Sequence, residues 1–534
     1  MVQTPDGSFS FFAYNRTGLA GSVRAIVKGN ENRTVSISSI EYNTKGQRSK
    51  VLYGNGAQTT REYDPKTFRL KRMRTTRSTT TFPDESLLQD LAYTYDPAGN
   101  VTFVKDSAQH RIFFRNQQVE PSNEYTYFAE YRLIEAVGRE QLGQAGKPPV
   151  PGASPLPTVE HPNQSSVMGT YLEQYVWDAV GNMLSMKHGS SDAKTPGWTR
   201  NYTYGDGNRL VSSEVSGAVE RYTYDVHGNT LSMPSLHVMQ WNYQDQLRST
   251  ARQASSNDRT PETAYYTYDS GGARVRKVTE RQTDEANPGP RILKERIYVG
   301  GCELYRTYSG DGQTKTLERE TLHVALGADT IAVVETRTVG DEDGNPSRLT
   351  RYQLANYLNP VLVELDDEAQ VSPPELNTDC CQMDVDSIQI ITYEEYAPFG
   401  TPTYRAARSQ TETPKRYGFT NKERDEESGL SYHGARYYMA WLARWTSCNP
   451  VKTNAPRSSY AYGRGNPISY VDPTGTEDSH AHGKKHSGGP RKGRPRRSPN
   501  TRRRLIKQRP NPHPQLPLPQ RRHQPHPQPQ PPHP

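Results

Sequence analysis

The chain is poor in cysteine and has no long apolar run. Its four cysteines are Cys302, the adjacent pair Cys380 and Cys381, and Cys448, and no spacing among them resembles a zinc site. Because neighbouring cysteines rarely bridge each other, a disulfide-built scaffold is not expected. A run of 18 apolar residues is absent, as are the charged and apolar segments of a signal peptide, so we expect neither a membrane-spanning helix nor a leader. No metal or cofactor is expected.

Apolar residues are also scarce, since they make up only 32% of 534 residues. Such a composition is typical either of a disordered chain or of a large, thin sheet whose strands each carry one polar face. The aromatic residues favour the sheet, because the chain contains 34 Tyr against 11 Phe. Tyrosine is amphipathic and suits half-buried strands, whereas disordered chains contain few aromatics.

Positive charge is concentrated at the C-terminal end. Residues 476–534 contain 14 Lys and Arg against two acidic residues, so the rest of the chain carries a net charge of −4 out of the total of +8. The body therefore gives no reason to expect nucleic-acid binding. The tail is rich in Pro, His and Gln and almost free of apolar residues, which predicts disorder with polyproline II character. A polybasic run could bind nucleic acid or an anionic surface.

One short pattern, Tyr-x-Tyr-Asp-x-x-Gly-Asn, recurs through the body. Its copies lie at 93–100, 175–182, 202–210, 222–229 and 266–272, with weaker copies at 63–64 and 125–133. The alternation places both rings on one face of a strand, and the Asp, Gly and Asn supply a tight turn. Each unit therefore predicts a strand, a turn and a returning strand. A structural role is the simpler interpretation of each Tyr and Asp, and carbohydrate binding by the same tyrosines is the functional alternative.

A denser segment follows from Arg416 to Gly475. It reads Arg-Tyr-Gly-Phe-Thr-Asn-Lys-Glu-Arg-Asp, then Ser-Tyr-His-Gly-Ala-Arg-Tyr-Tyr, then Trp-Leu-Ala-Arg-Trp-Thr-Ser-Cys-Asn-Pro, and closes with Ser-Tyr-Val-Asp-Pro-Thr-Gly. This segment resembles the RHS-repeat-associated core, and the Tyr-Asp units resemble the YD repeats that precede that core. Short identities such as Val51–Gly56 and Phe113–Asn116 favour the toxin-complex C subgroup.

The resemblance implies an all-β fold, in which an antiparallel ribbon spirals into a hollow cocoon closed by the core. On this basis we divide the chain into N-terminal strands (1–40), a repeat shell (41–405), the core (406–475) and the tail (476–534). Residues 368–392 interrupt the family pattern as an insertion, or as a gene-model error. The family implies a B-type shell subunit as partner and, through it, a pore-forming A component. It also implies secretion as part of a complex, with a cytoplasmic location as the alternative.

The family core is a self-cleaving aspartyl protease that cuts just beyond the Asp-Pro-x-Gly segment. By position, its essential arginine is Arg436, its first aspartate falls at Asn449 and its second aspartate is Asp472. Two carboxylates at short range can share one proton and so divide acid and base work, whereas an amide cannot ionise. We therefore predict that self-cleavage is lost or severely slowed, leaving a shell that encapsulates and delivers an effector.

Three alternatives remain at this stage. Asp472 could still act with another carboxylate, for instance Asp425, in a working autoprotease. Cys448 could act as a nucleophile, although the sequence places no histidine to activate it. The repeats could instead form a carbohydrate-binding or surface-binding module.

Two family glycines are replaced, by Asn421 and Ala443. The replacement at Ala443 is expected to reduce stability if its φ is positive.

Overall fold

The structure is a computed structural model. It describes residues 1–28, 34–79, 86–114, 117–142, 168–191, 197–253, 260–283, 289–327, 329–341, 347–357, 361–366, 390–407, 415–451 and 457–480. All of these residues belong to one compact unit. The predicted insertion lies outside the described residues up to position 389, and the basic tail lies outside them beyond His480.

Two large antiparallel sheets contain most of the strands. The first has the strands β1 (Val2–Gln3), β2 (Phe9–Tyr14), β3 (Ala20–Ile26), β4 (Thr34–Tyr42), β5 (Arg48–Tyr53), β6 (Gln58–Tyr63), β7 (Leu70–Thr76), β8 (Leu87–Tyr95), β9 (Val101–Asp106), β12 (Ser122–Tyr127), β13 (Leu133–Gln141), β14 (Met168–Trp177), β15 (Met183–Ser190), β16 (Trp198–Tyr204), β17 (Leu210–Val215) and β18 (Ala218–Arg221). The second has β21 (Val238–Trp241), β22 (Leu247–Ala251), β23 (Thr263–Tyr268), β24 (Arg274–Glu280), β25 (Ile292–Val299), β26 (Cys302–Tyr308), β27 (Lys315–Leu326), β28 (Asp329–Val339), β29 (Arg348–Ala355), β30 (Val361–Leu365), β31 (Ile390–Tyr396) and β32 (Pro402–Ala407).

Smaller sheets complete the fold. The pairs are β10 (Ile112–Phe114) with β11 (Gln117–Val119), β19 (Thr223–Tyr224) with β20 (Thr230–Ser232), and β37 (Tyr470–Val471) with β38 (Ser479–His480). The segment 416–475 adds a four-stranded sheet of β33 (Glu423–Arg424), β34 (Ser431–Tyr432), β35 (Tyr437–Met439) and β36 (Arg444–Trp445). Within the described residues, the only helical elements are 3-10 turns at Asp206–Asn208, Phe419–Asn421, Ala440–Leu442 and Gly463–Gly465. The predicted all-β antiparallel architecture is confirmed.

In most copies of the repeat, the Asp of the motif holds the turn. In the first strong copy, Asp96 Oδ1 accepts hydrogen bonds from the backbone N–H groups of Gly99 (2.6 Å) and Asn100 (2.8 Å), and Asn100 Nδ2 donates to Asp96 Oδ2 at 2.7 Å. Gly99 has a φ of +106°, which favours glycine at this place. Because Asp178 and Asp225 hold the turns of two other copies in the same way, the motif encodes the turn.

In most units, the second aromatic residue joins neighbouring strands by a hydrogen bond to a backbone carbonyl. Tyr95 Oη, for example, donates to the carbonyl of Leu70, which is the first residue of an earlier strand, at 2.7 Å. Equivalent bonds run from Tyr63 to Arg48, Tyr127 to Val101, Trp177 to Leu133, Tyr204 to Met183, Trp241 to Thr230 and Tyr268 to Leu247. The ring is half-buried against the sheet while its polar end reaches the backbone, as expected for an amphipathic side chain. These aromatics therefore have a structural role in the ribbon.

The hydrophobic core lies between the inward faces of the two large sheets. The ring of Tyr53 meets that of Tyr352 at 6.3 Å and the ring of Tyr93 meets that of Tyr357 at 5.0 Å, both edge to face. Such aromatic pairs stabilise the fold by more than the burial of their apolar area alone. A second aromatic cluster, consisting of Phe419, Tyr438, Trp445 and Tyr462, lies inside the segment that resembles the repeat-associated core.

This core segment contacts both sheets. Asn466 Nδ2 donates to Asn100 Oδ1 on the first sheet at 3.0 Å. Tyr438 Oη donates to the carbonyl of Phe399, in the turn between β31 and β32, at 2.9 Å. The residues at 416–475 therefore join the two sheets.

Candidate functional site

Two short turns of the core bring Arg436 and Asp472 together. Arg436 directly precedes β35, after a turn in which Gly434 has a φ of +94°. Asp472 directly follows β37. Arg436 Nη2 lies 3.1 Å from Asp472 Oδ2, and the two side chains are 3% and 1% exposed. The sequence-predicted pair is therefore in contact and removed from solvent.

The guanidinium of Arg436 is fully engaged. Its Nε donates to the carbonyl of Gly475 at 2.6 Å and its Nη1 donates to the carbonyl of Ser459 at 3.0 Å, while the group lies 4.1 Å from the ring centre of Trp445. Burial lowers the pKa of Arg436 to about 10, and the neighbouring Asp472 carboxylate opposes that shift. The group therefore stays positive at neutral pH.

The carboxylate of Asp472 also holds the backbone that follows it. Its Oδ1 accepts from the N–H groups of Thr474 (3.3 Å), Thr476 (3.0 Å) and Glu477 (3.2 Å). All of these partners are donors, so the carboxylate acts here as an acceptor of four hydrogen bonds, counting that from Arg436. The segment after Asp472 is thereby folded back over its own side chain.

Asn449 reaches the same segment from the other side. Its Nδ2 donates to the carbonyl of Thr476 at 2.9 Å, and its Oδ1 accepts from the backbone N–H of Val451 at 2.9 Å. The peptide bond between Thr476 and Glu477 consequently has the Asn449 amide on its oxygen and the Asp472 carboxylate on its nitrogen. An amide can polarise that carbonyl, but it cannot transfer a proton to it at neutral pH.

Every carbonyl from Asp472 to Thr476 has its own donor. They accept, in chain order, from His433 Nδ1 (2.8 Å), Lys422 Nζ (2.6 Å), the backbone N–H of Ala435 (2.9 Å), Arg436 Nε (2.6 Å) and Asn449 Nδ2 (2.9 Å). The site also requires glycine at 475, because φ is +73° there and a Cβ would lie 2.8 Å from the backbone nitrogen of Arg436. We call these five donors the cradle. It fixes the backbone of residues 472–476 by one hydrogen bond to each carbonyl.

A cavity of about 970 Å³ lies beside the cradle, and Arg436, Cys448, Asn449 and His433 are among the residues that line it. Cys448 is half-buried and not in a disulfide. His433 shares this cavity, although sequence alone placed no histidine near Cys448. Since Nδ1 of His433 is bonded to the carbonyl of Asp472, the structure gives no hydrogen bond between the imidazole and the thiol among the described residues.

Asp425, the alternative second carboxylate, lies in a different set of contacts. Its Oδ2 is 2.9 Å from Arg274 Nη1 and its Oδ1 is 3.1 Å from Lys277 Nζ, and all three side chains are almost fully buried. Asp425 is therefore an ion-pair partner of β24. A different carboxyl group, Asp478, lies close to Asp472, and burial followed by the charge of Asp472 raises the pKa of Asp478 to about 6.

Both replaced family glycines have positive φ. Ala443 has a φ of +55° at the end of its 3-10 turn, and Asn421 has a φ of +54°. Asparagine tolerates this region, whereas alanine is strained in it. The structure thus gives Ala443 the positive φ on which the expected loss of stability depends, and the loss itself stays a prediction.

Sequence reasoning found Arg436, Asn449 and Asp472, but it missed His433, Lys422 and Asp478. His433 lies three residues before Arg436 in the same motif, which could have identified it. The contact of Lys422 is made to a backbone carbonyl, and no residue pattern signals such a contact.

Together, the ribbon of Tyr-Asp hairpins and the core that joins its sheets define an RHS-repeat protein with a repeat-associated core. No family model matches the chain. The chain is 31% identical over 484 residues to toxin subunit YenC1 of Yersinia entomophaga, which covers 89% of this chain and 46% of YenC1. It is 31% identical over 469 residues to toxin subunit YenC2 of the same organism, covering 87% and 45%.

Solved structures agree with the sequence relatives. A crystal structure of TcdB2-TccC3 matches 88% of this chain and 21% of that chain, with a TM-score of 0.73 at 28% identity. The TcdB2-TccC3-TEV structure matches 89% of this chain and 21% of that one with a TM-score of 0.74 at 27% identity. The chain therefore belongs with the RHS-repeat proteins of the toxin-complex C type, and the predicted fold class is confirmed. It spans about half the length of the curated relatives that it matches. None of the helices among the described residues is long and apolar enough to cross a membrane.

Proposed function

We propose that the chain is a C-type shell component of a toxin complex, which encloses an effector together with a B-type shell subunit. The similarity to YenC1 over 89% of the chain carries this proposal, and the TcdB2-TccC3 likeness supports a B-type partner. A pore-forming A component would then act through that partner, and the protein would work outside the cell as part of the complex. The same proposal includes the division of the chain into N-terminal strands, repeat shell, repeat-associated core and tail, with boundaries after residues 40, 405 and 475.

Co-purification tests the shell role. A tagged B-type subunit related to TcdB2, expressed with this chain, should retain it in a single species on size exclusion. The exposed Met1 (80%) and Val2 (54%) at β1 lie on a sheet edge where further strands could pair. If the contact is made at this edge, it does not require the tail, and a chain ending at His480 should bind equally well. Failure of both forms to co-purify would contradict the shell role.

We also propose that the core has lost self-cleavage because residue 449 is an asparagine. The Asn449 amide donates to the Thr476 carbonyl in the position where a protonated aspartic acid would donate its own proton. A carboxyl group introduced by the Asn449→Asp substitution would have to be protonated to keep that contact, and it could then act as general acid with Asp472 as general base. Water would add to the Thr476 carbonyl carbon and give one proton to the Asp472 carboxylate, while the carboxyl group introduced at 449 gives its proton to the carbonyl oxygen. The C–N bond to Glu477 would then break as Asp472 passes its proton to the Glu477 nitrogen, and the group at 449 takes its own proton back as the carboxyl product forms.

The Asn449→Asp variant tests this loss. Its expected products end at Thr476 and begin at Glu477, so that the second contains the 58 residues 477–534. Adding Asp472→Asn to the variant is the matched control and should abolish cutting. The products must be separated under denaturing conditions, because β38 pairs with β37 and Asp478 lies 3.7 Å from Arg464. Cutting of the unmodified chain would overturn the proposal and favour a working autoprotease.

A further inference from the structure

His433 and Arg436 hold the same aspartate from two directions. The tight turn at Gly434 is closed by a hydrogen bond from the backbone N–H of His433 to the carbonyl of Arg436 at 3.0 Å. Within this turn, Arg436 contacts the carboxylate of Asp472 and His433 Nδ1 contacts its backbone carbonyl at 2.8 Å. Asp472 is therefore hydrogen-bonded at its side chain by Arg436 and at its backbone carbonyl by His433, three positions before Arg436 in the chain.

The protonation state of His433 follows from its surroundings. The side chain is 1% exposed, and burial, followed by the positive charge of Lys422, lowers its pKa to about 3, a shift that the hydrogen bond to Asp472 opposes. The imidazole is therefore neutral at physiological pH and carries one proton. Because a carbonyl oxygen can only accept, that proton is on Nδ1.

The ring itself is fixed by packing. Trp445 lies edge-on to it at 5.0 Å, and Tyr438 and Tyr462 lie at 5.9 and 5.8 Å. Nε2 of His433 is buried without a hydrogen-bond partner among the described residues. A buried polar atom without a partner is destabilising, so an apolar residue would fill this aromatic cluster better if packing were the only role.

We infer that His433 is a positioning residue, which fixes the backbone of Asp472 so that its carboxylate stays against the N–H groups of Thr476 and Glu477. This role deepens the proposed self-cleavage chemistry and rests on it for its function. Arg436 directs the carboxylate of Asp472 and holds the backbone at Gly475, three residues further on, but it makes no bond to the backbone of Asp472 itself. His433 fixes the backbone of Asp472, from which the carboxylate side chain projects.

Two substitutions separate donation from packing. His433→Leu fills the space without a donor, whereas in His433→Asn the side-chain Nδ2 takes the place of the imidazole Nδ1. In the unmodified background, hydrogen exchange at the amides of Thr476 and Glu477 should become about tenfold faster in the Leu variant and stay near the original rate in the Asn variant. If the Leu variant does not fold, His433→Gln replaces it, because its amide lies at the Nε2 position and leaves the Asp472 carbonyl without a donor.

A second readout uses the Asn449→Asp background. There the first-order cutting rate should fall about tenfold with His433→Leu and be restored with His433→Asn. Equal exchange rates in all forms, or equal losses with Leu and Asn, would overturn the positioning role. If Asn449→Asp itself does not cut, the proposal that Asn449 accounts for the loss of self-cleavage fails, but the exchange rates still decide whether His433 positions Asp472.

Discussion

Removing the guanidinium of Arg274 should destabilise the joint between the second sheet and the core. Arg274 begins β24 and is 1% exposed at its side chain, with Nη2 2.6 Å from Glu423 Oε2 and Nη1 2.9 Å from Asp425 Oδ2. Its guanidinium also lies 4.4 Å from the ring centre of Tyr432. The Arg274→Met substitution keeps the length of the side chain and leaves two buried carboxylates without their main partner.

The expected loss of stability depends on which cations remain near the two carboxylates. Lys277 stays 3.1 Å from Asp425, and Arg416 stays 3.4 Å from Glu423, so neither carboxylate is left without a cation. Removing one partner of a buried ion pair costs about 3–5 kcal/mol when the other charge is left uncompensated. Because these two cations remain, we expect the free energy of unfolding to fall by about 3 kcal/mol, the lower end of that range, measured by urea denaturation with far-UV circular dichroism and tryptophan fluorescence.

The matched control lies two residues away on the same strand. Arg276 is 45% exposed and pairs with Glu295 at 2.6 Å, and Glu295 keeps Arg306 as a second partner at 3.3 Å. Arg276→Met should therefore cost less than about 1 kcal/mol. Equal losses for the two variants would refute the conclusion that the buried network, rather than general charge on β24, joins the sheet to the core.

Three further predictions concern the repeats and the core. Ala443→Gly should raise the unfolding free energy by about 0.5–1 kcal/mol, because relief of the positive φ exceeds the added freedom of the unfolded chain; a lower thermal midpoint would contradict this. Tyr95→Phe should lower the free energy of unfolding by about 1 kcal/mol through loss of the hydrogen bond to the Leu70 carbonyl, as measured by thermal unfolding. An unchanged midpoint would contradict the structural role of these aromatic-to-carbonyl bonds. Burial lowers the pKa of His188, but hydrogen bonds to two buried glutamates outweigh it and raise the pKa to about 9. The stabilisation is therefore complete below about pH 6.5 and is lost as the pH rises through 9, so the difference in thermal midpoint between the unmodified chain and His188→Gln should shrink over that range.

Local features were predictable because the residues that determine them are adjacent in sequence. The turn at Asp96 needs an acceptor, a glycine and an asparagine within five positions, and the repeat displays all of them. The positive φ of Ala443 was likewise inferred from one replaced glycine. In both cases the physical requirement is satisfied inside a single turn.

Contacts that cross the fold were not predictable in this way. Arg274 and Glu423 are 149 residues apart, and His433 and Asp472 are 39 apart. Whether the residues of each pair come into contact depends on the register of many strands and on the position of the core segment between the two sheets. Sequence proximity to Arg436 was a clue to His433, but only the geometry shows that its donor is directed at the backbone of Asp472.

The most direct test of the account is the intact mass, under denaturing conditions, of the unmodified chain recovered from its assembly with a B-type shell subunit. The account predicts one species at the full mass of 60.2 kDa, and, from the Asn449→Asp assembly prepared in parallel, a chain ending at Thr476 with its 58-residue partner. A cut chain from the unmodified assembly, or an uncut chain from the variant in an assembled shell, would contradict it.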